Sequence, residues 1–170
     1  MGHLAIQFAA AMGHQVIAIS RGPEREEAAL NLGAEMYIDS NENLPGDALR
    51  EIGGVDAIIS TASSTKSVAE LLNGLRPHGR LVMIGVDAEA LELPAGPIIS
   101  HALSITGHLT GSPADTEQAM EFAVRNNIRP VVQTFPLVQA QTALIVLREG
   151  QARFRLVLVN ESHEKTRMTT

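Results

Sequence analysis

Short β-rich apolar runs alternate along this chain with longer stretches whose apolar residues recur at helical spacing. Leu4, Ala5, Phe8, Ala9 and Met12 follow Gly2 on such a spacing, and the stretch stops at Gly13, a residue suited to a left-handed helix end. Residues 15–19 (Gln-Val-Ile-Ala-Ile) then read as a buried strand that runs into the polar pair Ser20 and Arg21. Pro23 suits a first helical turn, which predicts a helix through Leu32 that Gly33 ends. A short strand over 36–39 and a polar, Asn-rich loop from Ser40 lead to a helix starting near Pro45. Residues 56–61 make the next buried strand, and Ser64 or Ser67 is expected to cap a helix through Leu75. Residues 80–85, an apolar run bounded by glycines, form the clearest strand of the chain.

Beyond Gly85 the pattern loosens into 91–100, rich in proline and apolar residues, which reads from its residues alone as a packed loop. A strand over 103–107 follows, then a helix over 113–126 with Ser112 as its cap. A strand over 131–135, a helix over 137–149 and a strand over 154–159 complete the domain. The tail 160–170 is polar and aperiodic, and is expected to be mobile. Strands alternating with helices in this way predict a three-layer α/β domain over 1–159, Rossmann-type, with a mainly parallel, doubly wound sheet.

A chain of 170 residues, 45% of them hydrophobic, can bury one good core. The formal net charge of -6 gives no broad attraction to nucleic acid. No apolar run approaches the ~20 residues of a membrane span, and Ile6 stands where a myristoylation signal needs Ser or Thr. The chain is therefore expected to be cytoplasmic, with no export signal. It has no cysteine, and its six histidines (His3, His14, His78, His101, His108 and His163) lie in separate segments without close pairing, so no metal site is expected.

The stretch from Gly2 to Gln7, Gly-His-Leu-Ala-Ile-Gln, resembles the second half of the dinucleotide-binding turn in the zinc-type medium-chain alcohol dehydrogenases. Later markers extend the resemblance to about residue 159. They are Leu32-Gly33-Ala34, Gly54-Val55-Asp56, Leu75-Arg76-Pro77-His78-Gly79-Arg80, Ile84-Gly85-Val86, Ser104-Ile105-Thr106-Gly107 and the run from Arg153 to Leu158. The pattern is that of the cinnamyl-alcohol-dehydrogenase-like and related bacterial branches. It implies the cofactor-binding domain of such an enzyme, lacking the usual first strand and the first glycines, with the zinc ligands in a catalytic domain that this chain does not contain. In strand order 3-2-1-4-5-6 the lacking strand is the central one. Its loss removes up to about ten ladder hydrogen bonds at roughly 1 kcal/mol net each, which predicts association of the isolated chain, pairing across the gap, or a fragment of a longer protein.

The resemblance implies a nicotinamide cofactor, and the end of the strand over 15–19 bears on which one. A site for NAD wants a carboxylate there to bind the ribose 2′-hydroxyl, but Ser20 holds the position. Ser20, Arg21 and Arg25 offer donors and positive charge to a 2′-phosphate, which points to NADP over NAD. Gly2 marks the pyrophosphate turn. Ser60, Thr61 and Ala62, then Ile84, Gly85 and Val86, then His108, Leu109 and Thr110 follow successive strand ends, where open α/β sheets bind ligands. The family places backbone groups of the second of these sets on the nicotinamide. Arg155 matches the family's late arginine on the pyrophosphate, and residues 91–103 match its dimer interface. No catalytic residue is assigned, and the isolated chain is expected to be inactive. A non-catalytic nucleotide-binding or interaction module on the same fold stands as the alternative.

Overall fold

The structure, a computed structural model, describes residues 1–62, 68–85 and 89–160. The expected caps Ser64 and Ser67, the candidate contact Val86 and residues 161–170 lie outside these.

The first helix, α1 (Gly2–Ala11), ends as the sequence predicts, with Gly13 at φ 86°. It leads into β1 (Ile17–Ser20), which pairs in parallel with β2 (Met36–Asp39) across α2 (Glu26–Asn31). Pro23 opens a separate 3₁₀ turn over Pro23–Arg25 rather than α2 itself. Then come α3 (Pro45–Glu51), β3 (Val55–Ser60), α4 (Val68–Leu71), a 3₁₀ turn at Leu72–Gly74 and β4 (Leu75–Met83). The expected helix through Leu75 thus ends early, and β4 begins five residues before the predicted start. Its ladder with β3 is interrupted, with Val55 opposite Leu75 and Ala57 opposite Arg80, because His78 takes φ 64° and its N–H turns away to the carbonyl of His101.

Residues 91–100 are only partly a loop, since α5 (Ala95–Ser100) forms there. After it come β5 (Ser104–Gly107), α6 (Pro113–Arg125), β6 (Val132–Pro136), α7 (Ala140–Arg148) and β7 (Arg155–Val159). Ser112 caps α6 as predicted, and Asp115 completes a reciprocal capping box with it.

Every strand pairing is parallel, but the ladder falls into three pieces: β1–β2, β3–β4–β5 and β6–β7. The first two are the expected order with its centre open. Among the described residues β1 and β3 do not pair across that opening, so of the three outcomes considered from sequence, closure of the gap is not what occurs. Side chains join what the ladder does not. Ile38, Leu49, Ile58, Val68, Leu72 and Leu81 form one buried cluster, onto which Ile17 and Ile19 of β1 also pack. The pair β6–β7 buries far less, its strands being half-buried or exposed throughout. No helix among the described residues is long and apolar enough to cross a membrane.

Candidate functional site

Backbone hydrogen bonds gather the carboxyl ends of β3, β4 and β5 into one rim. The carbonyl of Ser60 accepts from the N–H groups of Ile84 (3.0 Å) and Gly85 (3.1 Å), and the N–H of His108 donates to Met83 at 2.9 Å. A Cβ on Gly85 would collide with the carbonyl of Ala62, so only glycine lets these two strand ends approach so closely. Ser60, Thr61, Ala62, Ile84, Gly85 and His108 therefore share this edge. Leu109 and Thr110 run out into solvent beyond it.

The amino end of α1 meets the same rim. No side chain caps its first turn. A Cβ on Gly2 would meet Thr61 Oγ1 at an ordinary 3.5 Å, so this helix makes its tightest approach elsewhere. The close packing falls to Gly33, where a Cβ would stand 2.9 Å from that of Ala10. The first turn of α1, without a side-chain cap, thus faces the rim, the arrangement that receives a phosphate.

His3, next along α1, is buried and stacks on Phe154, ring centres 4.8 Å apart. Phe154 itself is held at φ 70°. The following residue, Arg155, lies close enough for its charge to act on His3. Burial first, then the positive charges of the amino terminus and Arg155, hold the His3 pKa below 6.5. Gln7 ties the same helix to the far segment, its Nε2 donating to the carbonyl of Arg129 (3.0 Å) and its Oε1 accepting the N–H of Arg129 (3.3 Å).

The turn after β1 holds the third group of candidates. Arg25 Nη1 donates to Ser20 Oγ at 2.9 Å, a pairing made possible by the 3₁₀ turn that brings Arg25 back over the strand end. Arg21 points into solvent. Glu24 lies 3.9 Å from Arg25 Nε. Between them Gly22 is buried, at φ 81°. Its N–H donates to Asp39 Oδ1 (2.8 Å), and its carbonyl accepts from Tyr37 Oη (2.6 Å). Burial raises the Tyr37 pKa, a hydrogen bond with Ser20 opposes the rise, and the charges of Asp39 and Glu24 add to it.

The described residues do not fit zinc. The chain has no thiolate, and among the described residues no three His, Asp or Glu stand close enough to hold a metal ion. A dinucleotide fits better, since an open helix terminus, a glycine-bounded rim and an arginine–serine pair lie along the carboxyl ends of parallel strands.

The family described as "Zinc-binding dehydrogenase" matches residues 1–125. The chain belongs to that family. The match ends with α6, before β6 and β7. The chain is 44% identical over 158 residues to the alcohol dehydrogenase notN of Aspergillus sp. (strain MF297-2), covering 93% of this chain and 46% of that one. It is 33% identical over 159 residues to cinnamyl alcohol dehydrogenase 2 of Rauvolfia serpentina, covering 93% and 44%. The solved cinnamyl alcohol dehydrogenase of Sorghum bicolor superposes with a TM-score of 0.85 at 31% identity, over 92% of this chain and 44% of that one. The alcohol dehydrogenase of Aeropyrum pernix gives 0.84 at 26%, over 93% and 46%. The chain thus spans less than half the length of these relatives, and its fold is that of their Rossmann-type domains. The family binds a nicotinamide dinucleotide.

Sequence reasoning missed Tyr37, Asp39, His3 and Phe154. The first two carried a usable signal. At i and i+2 on a strand next to β1 they share one face, and that face meets the turn after Ser20.

Proposed function

We propose that this chain is the cofactor-binding part of an NADP-dependent alcohol or aldehyde dehydrogenase, a hydride-transfer enzyme. The contact between Arg25 and Ser20 carries the reading. It sets a guanidinium and a hydroxyl side by side at the end of β1, the pair of groups that suits a ribose 2′-phosphate. Of the two carboxylates nearby, Asp39 already accepts two backbone N–H groups on Oδ1, and Glu24 is turned toward Arg25. The first turn of α1 and Arg155 would receive the pyrophosphate, and Ile84, Gly85 and His108 would face the nicotinamide end. When bound, the cofactor supplies the hydride. The chain's own groups hold and orient it.

A carbonyl must be polarised for hydride transfer, and the described residues offer no donor set for a zinc ion that would do so. The isolated chain is accordingly read as inactive, cytoplasmic and dimeric through residues 91–103. Leu91, Leu93 and Ile98 of that segment pack inward on the core, which leaves Ile99 to face a second copy.

Calorimetric titration tests the cofactor assignment. The wild-type chain should bind NADP+ at least ~10-fold more tightly than NAD+, Arg25→Ala should abolish the difference, and Arg21→Ala should largely keep it. Equal affinities in the wild type would overturn it. NADPH-dependent aldehyde reduction by the pure, metal-free chain would contradict the inactivity.

A further inference from the structure

Cofactor choice in the reading above depends on the shape of one turn, from Ser20 to Arg25, and that shape is not self-supporting. Gly22 occupies a left-handed conformation in its middle, and a Cβ there would run into the Glu24 carboxylate. Two side chains from the neighbouring strand hold it. Asp39 Oδ1 accepts the Gly22 N–H at 2.8 Å, and Tyr37 Oη donates to the Gly22 carbonyl at 2.6 Å. Both polar groups of one peptide residue are thus gripped by residues two apart on one face of β2.

The grip is itself anchored. The same Asp39 oxygen accepts the N–H of Asn41 at 2.9 Å, and the carbonyl of Ser20 accepts from the N–H of Ser40 at 2.9 Å. Register places Ser20 directly opposite Asp39. With Gly22 fixed, the 3₁₀ turn at Pro23–Arg25 starts in one direction, and Arg25 comes back to within 2.9 Å of Ser20 Oγ.

We propose that Tyr37 and Asp39 are positioning residues for cofactor specificity, clamping Gly22 so that Arg25 and Ser20 are pre-arranged for a 2′-phosphate. The inference rests on the NADP assignment and adds where its selectivity comes from. Without the clamp the turn samples other conformations, and the affinity for a 2′-phosphate falls by the fraction of time the pair is not assembled. Binding of the rest of the nucleotide, which uses other elements, is spared.

The test compares 2′,5′-ADP with 5′-AMP, two probes that differ only in that phosphate, by calorimetry on the whole chain. The wild type should prefer 2′,5′-ADP. Tyr37→Phe and Asp39→Ala should each lower that preference by about fivefold or more while leaving 5′-AMP affinity within about twofold. Asp39→Asn keeps an acceptor oxygen and should restore the preference. Exchange of the Gly22 amide, followed by NMR, should speed up in Asp39→Ala and not in Asp39→Asn. Should Asp39→Ala fold poorly, Tyr37→Phe alone decides, since it removes a single hydroxyl. A wild-type preference that survives in both Tyr37→Phe and Asp39→Ala overturns the clamp and leaves the NADP assignment standing. A wild type without preference overturns both.

Discussion

His3 shows how one buried ring ties stability to pH. It is 4% exposed, stacked on Phe154, and its Nε2 has no hydrogen-bond partner. With its pKa held below 6.5 by burial and by the charges of the amino terminus and Arg155, it is neutral in the fold. The unfolded chain takes up that proton from about pH 6.5 downward, the folded chain only at lower pH. Between the two the unfolded state binds more protons, so stability is complete above about 6.5 and is lost as the pH falls through the folded pKa. Melting temperature should be flat above neutrality and decline below pH ~6.5, and His3→Phe should flatten that decline. Asp115 acts in the same direction, its pKa lowered by the Ser112 hydroxyl and backbone, but only near and below its ordinary 3.8. If His3→Phe leaves the curve between about pH 5 and 7 unchanged, the assignment fails. None of this was legible beforehand. The sequence shows His3 as a histidine at a helix start, and its partner lies at the other end of the chain. Ser20 was legible because it follows a strand; the approach of Arg25 was not, because it depends on a 3₁₀ turn and on a clamp from β2.

Elements pack here as closely as their glycines allow. Helix α3 lies on the turn Leu72–Gly74, with Leu49 and Leu72 fully buried between them. A Cβ on Gly46 would strike the carbonyl oxygen of Glu70, and one on Gly74 would come within 2.6 Å of Leu49 Cβ. Both obstacles are held in place, the first by backbone and the second by a core residue. Gly46→Ala should therefore destabilise by roughly 3 kcal/mol, despite alanine's better helix propensity. Gly96→Ala, in α5 with nothing within 4 Å of the new Cβ, should be neutral or slightly stabilising. Urea denaturation of the two variants separates contact from propensity, and equal effects would refute the packing argument. The same distinction explains which elements were legible. Runs such as 80–85 declare a buried strand, and the capping box of α6 is local chemistry. The early start of β4 was hidden by Pro77 and by the reversed backbone at His78, and α5 by Gly96 and Pro97, which carry no helical periodicity.

At the scale of the whole molecule, a continuous core spans a discontinuous sheet. Ile17, Ile19 and Ile38 from one piece share buried contacts with Ile58 and Leu81 from the other, so side chains hold together what backbone hydrogen bonds do not. That arrangement leaves β1 and β3 each with an unpaired edge among the described residues, and an unpaired strand edge is a template for another chain. Beside that edge Ile59 is 51% exposed, an unusual setting for the middle of a parallel strand, which normally has both faces covered. The isolated chain should therefore associate, with a sedimentation coefficient that rises with concentration. Two surfaces could be responsible, and charge separates them. Ile59→Lys blunts the open edge of the sheet, whereas Ile99→Lys, at a residue 78% exposed, blunts the face offered by α5. Association through the split sheet predicts that the first variant becomes monomeric while the second does not; the reverse assigns it to residues 91–103. Both substitutions fall on exposed side chains and should leave the melting temperature nearly unchanged, so a shift in mass reports on the interface rather than on the fold. A wild-type chain that sediments as a single monomer at every concentration would show that the core alone satisfies this sheet.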